Sequence, residues 1–372
     1  MSTNGRLTAA RAVAWALLLS GWVGLGAVAL ALTPSLLQVY ALVALWLLAL
    51  GLAATVATRD RLGSAARRWA LALNALLTAG ALHAAVHGGG LGALTLALLG
   101  WAGMTALASG VVRSLRLALP TRPGPPVVAA SLGAAVAALA LGDPGDLQGL
   151  VWRLGAAVLA AAAALAALQP AETTARSGCR AGLFDCSLPA WPAGAWHDAQ
   201  QWPALLAGLA MLPMMAALPT MVAWCRSEAV APQAMVLLHL GAMFVPALLL
   251  RGAVLRWPPR RLALVCALLL AAGAAVVAWG RTPWDLLGVA ALQGAAWSLA
   301  WTGQLWAPER RGSRGASPLR AAFGYAALTL LAGLAVEQHG PSGLAALQIT
   351  LGLAALLAWA YAAATRARAA LP

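Results

Sequence analysis

The chain has 372 residues, of which 62% are hydrophobic and only 9% charged, with a formal net charge of +14. Soluble domains carry about 25% charged residues, so a water-soluble globular fold is excluded and an integral membrane protein is expected. The positive charge comes from arginine alone and is spread over many short segments, which argues against a nucleic-acid-binding face.

Met1 to Arg11 makes a short arginine-bearing leader. The apolar run after it is too long for a signal-peptide core and reads as the first membrane helix. About 20 apolar residues span a bilayer. Such runs fall at 10–32, 35–57, 69–87, 90–111, 126–142 and 149–168, then at 203–224, 234–255, 261–280, 285–306, 320–338 and 341–365. Only "HGGG" separates the third from the fourth. The longest polar insertion, Gln169 to Trp202, divides the two sets. The expected fold is all-α, with twelve transmembrane helices in two six-helix halves. The halves are residues 1–168 and 203–372, joined by a cytoplasmic middle loop at 169–202.

Arginine placement gives the orientation. With the N-terminus inside, only Arg153, Arg226 and Arg281 of the 24 arginines lie at or near the outer ends. That is a strong positive-inside bias, and it puts both termini in the cytoplasm. The loop after helix two reads "TRDRLGSAARRW", with Asp60, Arg61, Gly63, Arg67 and Arg68. The loop after helix eight reads "RGAVLRWPPRRLAL", with Gly252, Arg260 and Arg261. Each resembles in part the Gly-x-x-x-Asp-Arg-x-Gly-Arg-Arg type motif of the major facilitator superfamily. Val56 stands where the first motif has glycine, and the second lacks the Asp-Arg pair. The resemblance implies alternating access between two six-helix halves.

One stretch stands out. Six of the eight methionines lie between Met211 and Met243, in "MLPMMAALPTMVAWCRSEAVAPQAMVLLHLGAM". The chain is rich in Ala, Gly, Leu and Arg, a bias that looks like a GC-rich genome and does not produce methionine. Met211 and Met215 are four apart on helix seven, and His239 and Met243 are four apart on helix eight, so each pair shares a face. Counted from the outer helix ends, Met215 and Met243 come at one depth. Pro213, Pro219 and Pro246 should bend these helices, and broken helices are where transporters build sites. Thioether donors with an imidazole select Cu(I) over hard cations. Cys225, at the outer end of helix seven, adds a thiol at the mouth of the path. The competing reading takes the methionines as flexible packing, but a histidine inside a membrane helix points to function.

Met-x-x-x-Met on helix seven followed by His-x-x-x-Met on helix eight resembles the CcoA-type copper importers of the major facilitator superfamily. That resemblance implies copper import across a bacterial inner membrane, supplying assembly of the cbb3-type cytochrome oxidase. It implies a copper chaperone as recipient and copper as substrate, with no resident cofactor. The expected ligands are Met211, Met215, His239 and Met243, joined by Cys225. Family members also use a late cysteine, which helix twelve lacks here; Cys266 on helix nine is no evident substitute.

Other features read less specifically. His83 and His87 form an HxxxH at the outer end of helix three, better read as an interfacial face than as ligands. Met104 reads as packing. Cys179 and Cys186 with His197 fit no standard metal spacing. No cysteine pair forms a CxxC, and no disulfide framework is required. Trp297, Trp301 and Trp306 read as packing and belt residues. Asp285 and Glu337 sit at outer ends and no carboxylate lies mid-helix, so acidic proton coupling has no support. No nucleotide-binding loop, nucleophile elbow or zincin helix is present, so no enzyme is expected. Two other functions fit the same pattern. One is export of an organic solute; the other is a copper-binding assembly factor that moves nothing.

Overall fold

A computed structural model describes residues 2–58, 63–117, 127–142, 146–169, 206, 211, 215, 232–254, 256–279, 282–306 and 318–369. The described residues are helical, with no strand among them. The helices are α1 Thr3–Ser20, α2 Gly26–Leu32, α3 Leu36–Thr58, α4 Ser64–Ala84, α5 Gly90–Leu117, α6 Val127–Leu141 and α7 Leu147–Leu168. Then follow α8 Pro232–Leu249, α9 Arg251–Val254, α10 Pro259–Trp279, α11 Pro283–Trp306, α12 Pro318–His339 and α13 Pro341–Ala369. A helix meets every expected span except 203–224, where only Leu206, Met211 and Met215 are described. Among the described residues, five stretches are long and apolar enough to cross a membrane: Thr3–Leu32, Leu36–Ala53, Ser64–Arg116, Leu147–Leu168 and Ser342–Thr365.

The chain divides into two compact units. Unit one holds Met1–Ala190 with Ser317–Leu330; unit two holds Trp191–Ala316 with Leu331–Pro372. Within unit one, α1 packs on α5 and α6, α3 on α5, and α4 on α5 and α7. Within unit two, α11 packs on α8 and α10, and α10 packs on α13. A core of Cys266, Ala267 and Leu270 from α10, Leu299 and Ala300 from α11, and Leu351 and Ala355 from α13 fills unit two.

The N-terminus departs from the expected leader. Ser2 caps α1 by accepting from the Gly5 amide, so the helix begins at Thr3. A serine oxygen satisfies one of the donors that a helix start leaves open. Arg11 therefore lies inside α1, buried, instead of preceding it. A π-turn at Gly21–Leu25 joins α1 to α2. Beside it, Trp101 of α5 donates from Nε1 to the Leu17 carbonyl at 2.7 Å.

"HGGG" is a true reversal. A π-turn at Ala85–Gly89 ends α4, and Gly88 and Gly90 adopt φ of 113° and 50°. Side chains rarely tolerate that region, which explains the glycines. The hairpin is pinned by polar contacts: Asn74 Nδ2 donates to the Gly100 carbonyl at 2.8 Å, and Arg67 Nη1 donates to Ser114 Oγ at 3.0 Å. Arg67 is buried and Arg68 exposed. Asp60 and Arg61 of the first loop motif lie outside the described residues, as do Cys179, Cys186, His197 and most of the middle loop.

Candidate functional site

Met211 and Met215 are helical and buried, at 3% and 1% exposure. On α8, His239 and Met243 are buried at 0% and 3%. His239 meets Met215 directly: Nε2 lies 3.2 Å from Sδ. Counting along the sequence had set Met215 level with Met243. Helix α8 starts at Pro232, two residues earlier than expected. The Met215 sulfur nonetheless reaches the imidazole of His239.

The imidazole's other nitrogen fixes its state. His239 Nδ1 lies 3.0 Å from the Ala290 carbonyl oxygen on α11. A carbonyl oxygen only accepts, so Nδ1 carries the proton and donates it. In the neutral ring Nε2 then holds a lone pair. It faces a thioether sulfur, which has no proton to give either. Two acceptors thus confront each other in a site closed to water. A soft metal ion would take both lone pairs at this point. Metal-bound histidines typically donate their second ring nitrogen to a carbonyl or carboxylate, which orients the ring. The Ala290 carbonyl is placed to do this.

Neighbouring residues hold the arrangement. Gly294, one turn beyond Ala290, brings α11 against the α8 backbone; a Cβ there would stand 3.1 Å from the His239 carbonyl oxygen. Pro246 lies inside α8. Next to it, the Ala247 amide donates to Ser298 Oγ of α11 at 3.0 Å. Phe244 packs edge-on against Trp297 and Trp301, whose rings stack 5.3 Å apart. Both tryptophans are buried; the side chain of Trp306 lies outside the description. Met104 is buried in α5.

Among the described residues no three His, Cys, Asp or Glu side chains come together. Met235, fully buried one turn before His239, extends the α8 face to Met235, His239 and Met243. The spacing M-x-x-x-H-x-x-x-M was its signal, and the sequence reading passed over it. Ala290 and Gly294 were also missed. Cys225 lies outside the described residues. Cys266 is buried, and its thiol donates to the Ala296 carbonyl at 3.5 Å.

A second polar feature went unread. Gln293 of α11 donates from Nε2 to Gln348 Oε1 of α13. Both side chains are 2% exposed, and Gln293 Oε1 and Gln348 Nε2 have no hydrogen-bond partner. Glutamine within an apolar run was the signal.

No protein-family model and no curated protein matches the chain. Solved structures do. The nucleoside transporter NupG aligns with a TM-score of 0.64 and 14% identity, over 98% of this chain and 99% of that one. A variant of NupG gives 0.61 over the same shares. The human organic anion transporter MFSD10 (TETRAN) gives 0.54 and 15% identity, over 97% of this chain and all of the other. Identities this low carry the fold alone. The chain is an all-helical membrane protein with the fold of the major facilitator transporters.

Proposed function

We propose that this protein is a secondary transporter that imports copper across a bacterial inner membrane by alternating access. Met211, Met215, His239 and Met243 hold the ion, with Cys225 at the outer mouth. The observation behind this reading is the buried His239 Nε2–Met215 Sδ contact, made while Nδ1 donates to Ala290. It leaves a nitrogen lone pair and a soft sulfur facing one point. Thioethers select Cu(I), and uncharged ligands let a monovalent ion depart when the site opens. Inward movement of one positive charge gains about 2.3 kcal/mol per 100 mV of membrane potential. A cytoplasmic chaperone that sequesters the ion would complete the drive.

Radioactive copper uptake tests this in cells lacking their own importer. They express the wild type, or the chain with Met211, Met215, His239 and Met243 changed to alanine, at equal membrane levels. Uptake by the wild type that vanishes in the variant is expected. No wild-type uptake above background would sink the import reading, and copper binding to the purified protein would then indicate an assembly factor. The solved neighbours named for nucleosides and organic anions favour a second reading, transport of an organic solute with the methionines as packing. Under it, the fourfold variant keeps its activity.

A further inference from the structure

His83 and His87 occupy the last turn of α4 and the π-turn that follows. This end of α4 is remote from Arg67 and Arg68, so the positive-inside rule places it outside the membrane. The two imidazoles stack with centroids 4.0 Å apart and planes 29° apart. His87 Nδ1 lies 2.9 Å from the His83 carbonyl oxygen. As with His239, the carbonyl can only accept, so His87 Nδ1 is the donor, and in the neutral ring Nε2 holds the lone pair. On the other side, His83 packs against Trp152 of α7, with centroids 5.2 Å apart. Both imidazoles are exposed.

A carbonyl-bonded imidazole with a free Nε2, one turn from a second imidazole on the same face, is the donor arrangement of a two-histidine metal site. Lipid-facing belt residues need neither the stack nor a fixed tautomer. We infer that His83 and His87 bind a divalent, imidazole-seeking transition-metal ion at the arginine-poor end of unit one. Rotation of the exposed His83 ring out of the stack would turn its nitrogen toward an ion held by His87 Nε2. Imidazole-only donors suit divalent copper, zinc or nickel, in contrast to the thioether set in unit two. Asp146, at the start of α7, pairs with Arg153 at 3.6 Å. The inference does not depend on the copper-import reading.

The test uses the full-length protein in detergent, carrying Met215→Leu and His239→Phe to silence the buried set. Divalent copper is added and followed by electron paramagnetic resonance. The expected result is a bound ion whose spectrum shows two imidazole nitrogens. The further pair His83→Phe and His87→Asn should abolish it. Asparagine can still donate to the His83 carbonyl, and phenylalanine still packs on Trp152, so the helix end survives. If the pair nonetheless loses helicity by circular dichroism, His83→Phe alone decides, and should leave one nitrogen and weaker binding. An unchanged spectrum in the substituted protein, or no bound copper before substitution, overturns the inference.

Discussion

Gly294 and Ala242 touch where α11 crosses α8. A Cβ on Gly294 would stand 2.8 Å from Ala242 Cβ and 3.1 Å from the Ala242 carbonyl carbon. Neither atom can swing aside. Gly294→Ala should cost roughly 1–3 kcal/mol through overpacking, and Gly294→Leu more. Each pushes α11 away from α8 and lengthens the His239–Ala290 hydrogen bond. Copper uptake should fall in step with the melting temperature in detergent. A Gly294→Leu variant with wild-type stability and uptake would refute the tight crossing.

Met215→Leu separates ligand from filler. Leucine keeps the volume and apolarity, so stability should change by less than about 1.5 kcal/mol. It removes the sulfur that faces His239 Nε2. Copper uptake should drop sharply while expression and thermal stability hold. Equal uptake by Met215→Leu and wild type would return the methionines to packing.

Ser298 serves the α8 backbone beside Pro246. Ser298→Ala removes the hydroxyl to which the Ala247 amide donates, at a cost of about 0.5–1.5 kcal/mol. Ser298→Thr keeps an oxygen and should recover part of the loss. Thermal unfolding of the two variants side by side checks the order.

Gln293 and Gln348 should behave as a pair. Gln293→Leu alone strands both polar ends of Gln348 in an apolar interior, and Gln348→Leu does the same to Gln293. Each single change should destabilise by about 1–3 kcal/mol. The double change removes every stranded group and should be milder than either single one. A cycle in which the two costs simply add would show that the amides do not interact.

The helical spans could be read because lipid demands long apolar runs, and the described helices meet the expected spans outside 203–224. The departures have physical causes. Helix α1 starts at Thr3 because Ser2 caps it, a short-range effect hidden beneath a charge-based reading of the leader. Ala290 was illegible in principle: it acts through a carbonyl that every residue owns, and only the crossing of α11 over α8 singles it out. Gly294 was masked by the abundance of glycine. Gln293 and Gln348 were legible and were overlooked, since a polar amide within an apolar span calls for a partner.

The Gly88–Gly90 reversal bears on how the chain enters the membrane. It leaves almost no loop between α4 and α5, so the two spans emerge from the ribosome as one hairpin. Asn74 would be an uncompensated amide if α4 met lipid alone. Its partner, the Gly100 carbonyl, is synthesised 26 residues later. Partition of α4 into the bilayer should therefore wait for α5. Nascent chains arrested before Gly100 is exposed should stay cross-linked to the insertion machinery. Chains arrested after α5 has emerged should be released, and Asn74→Leu should remove the delay.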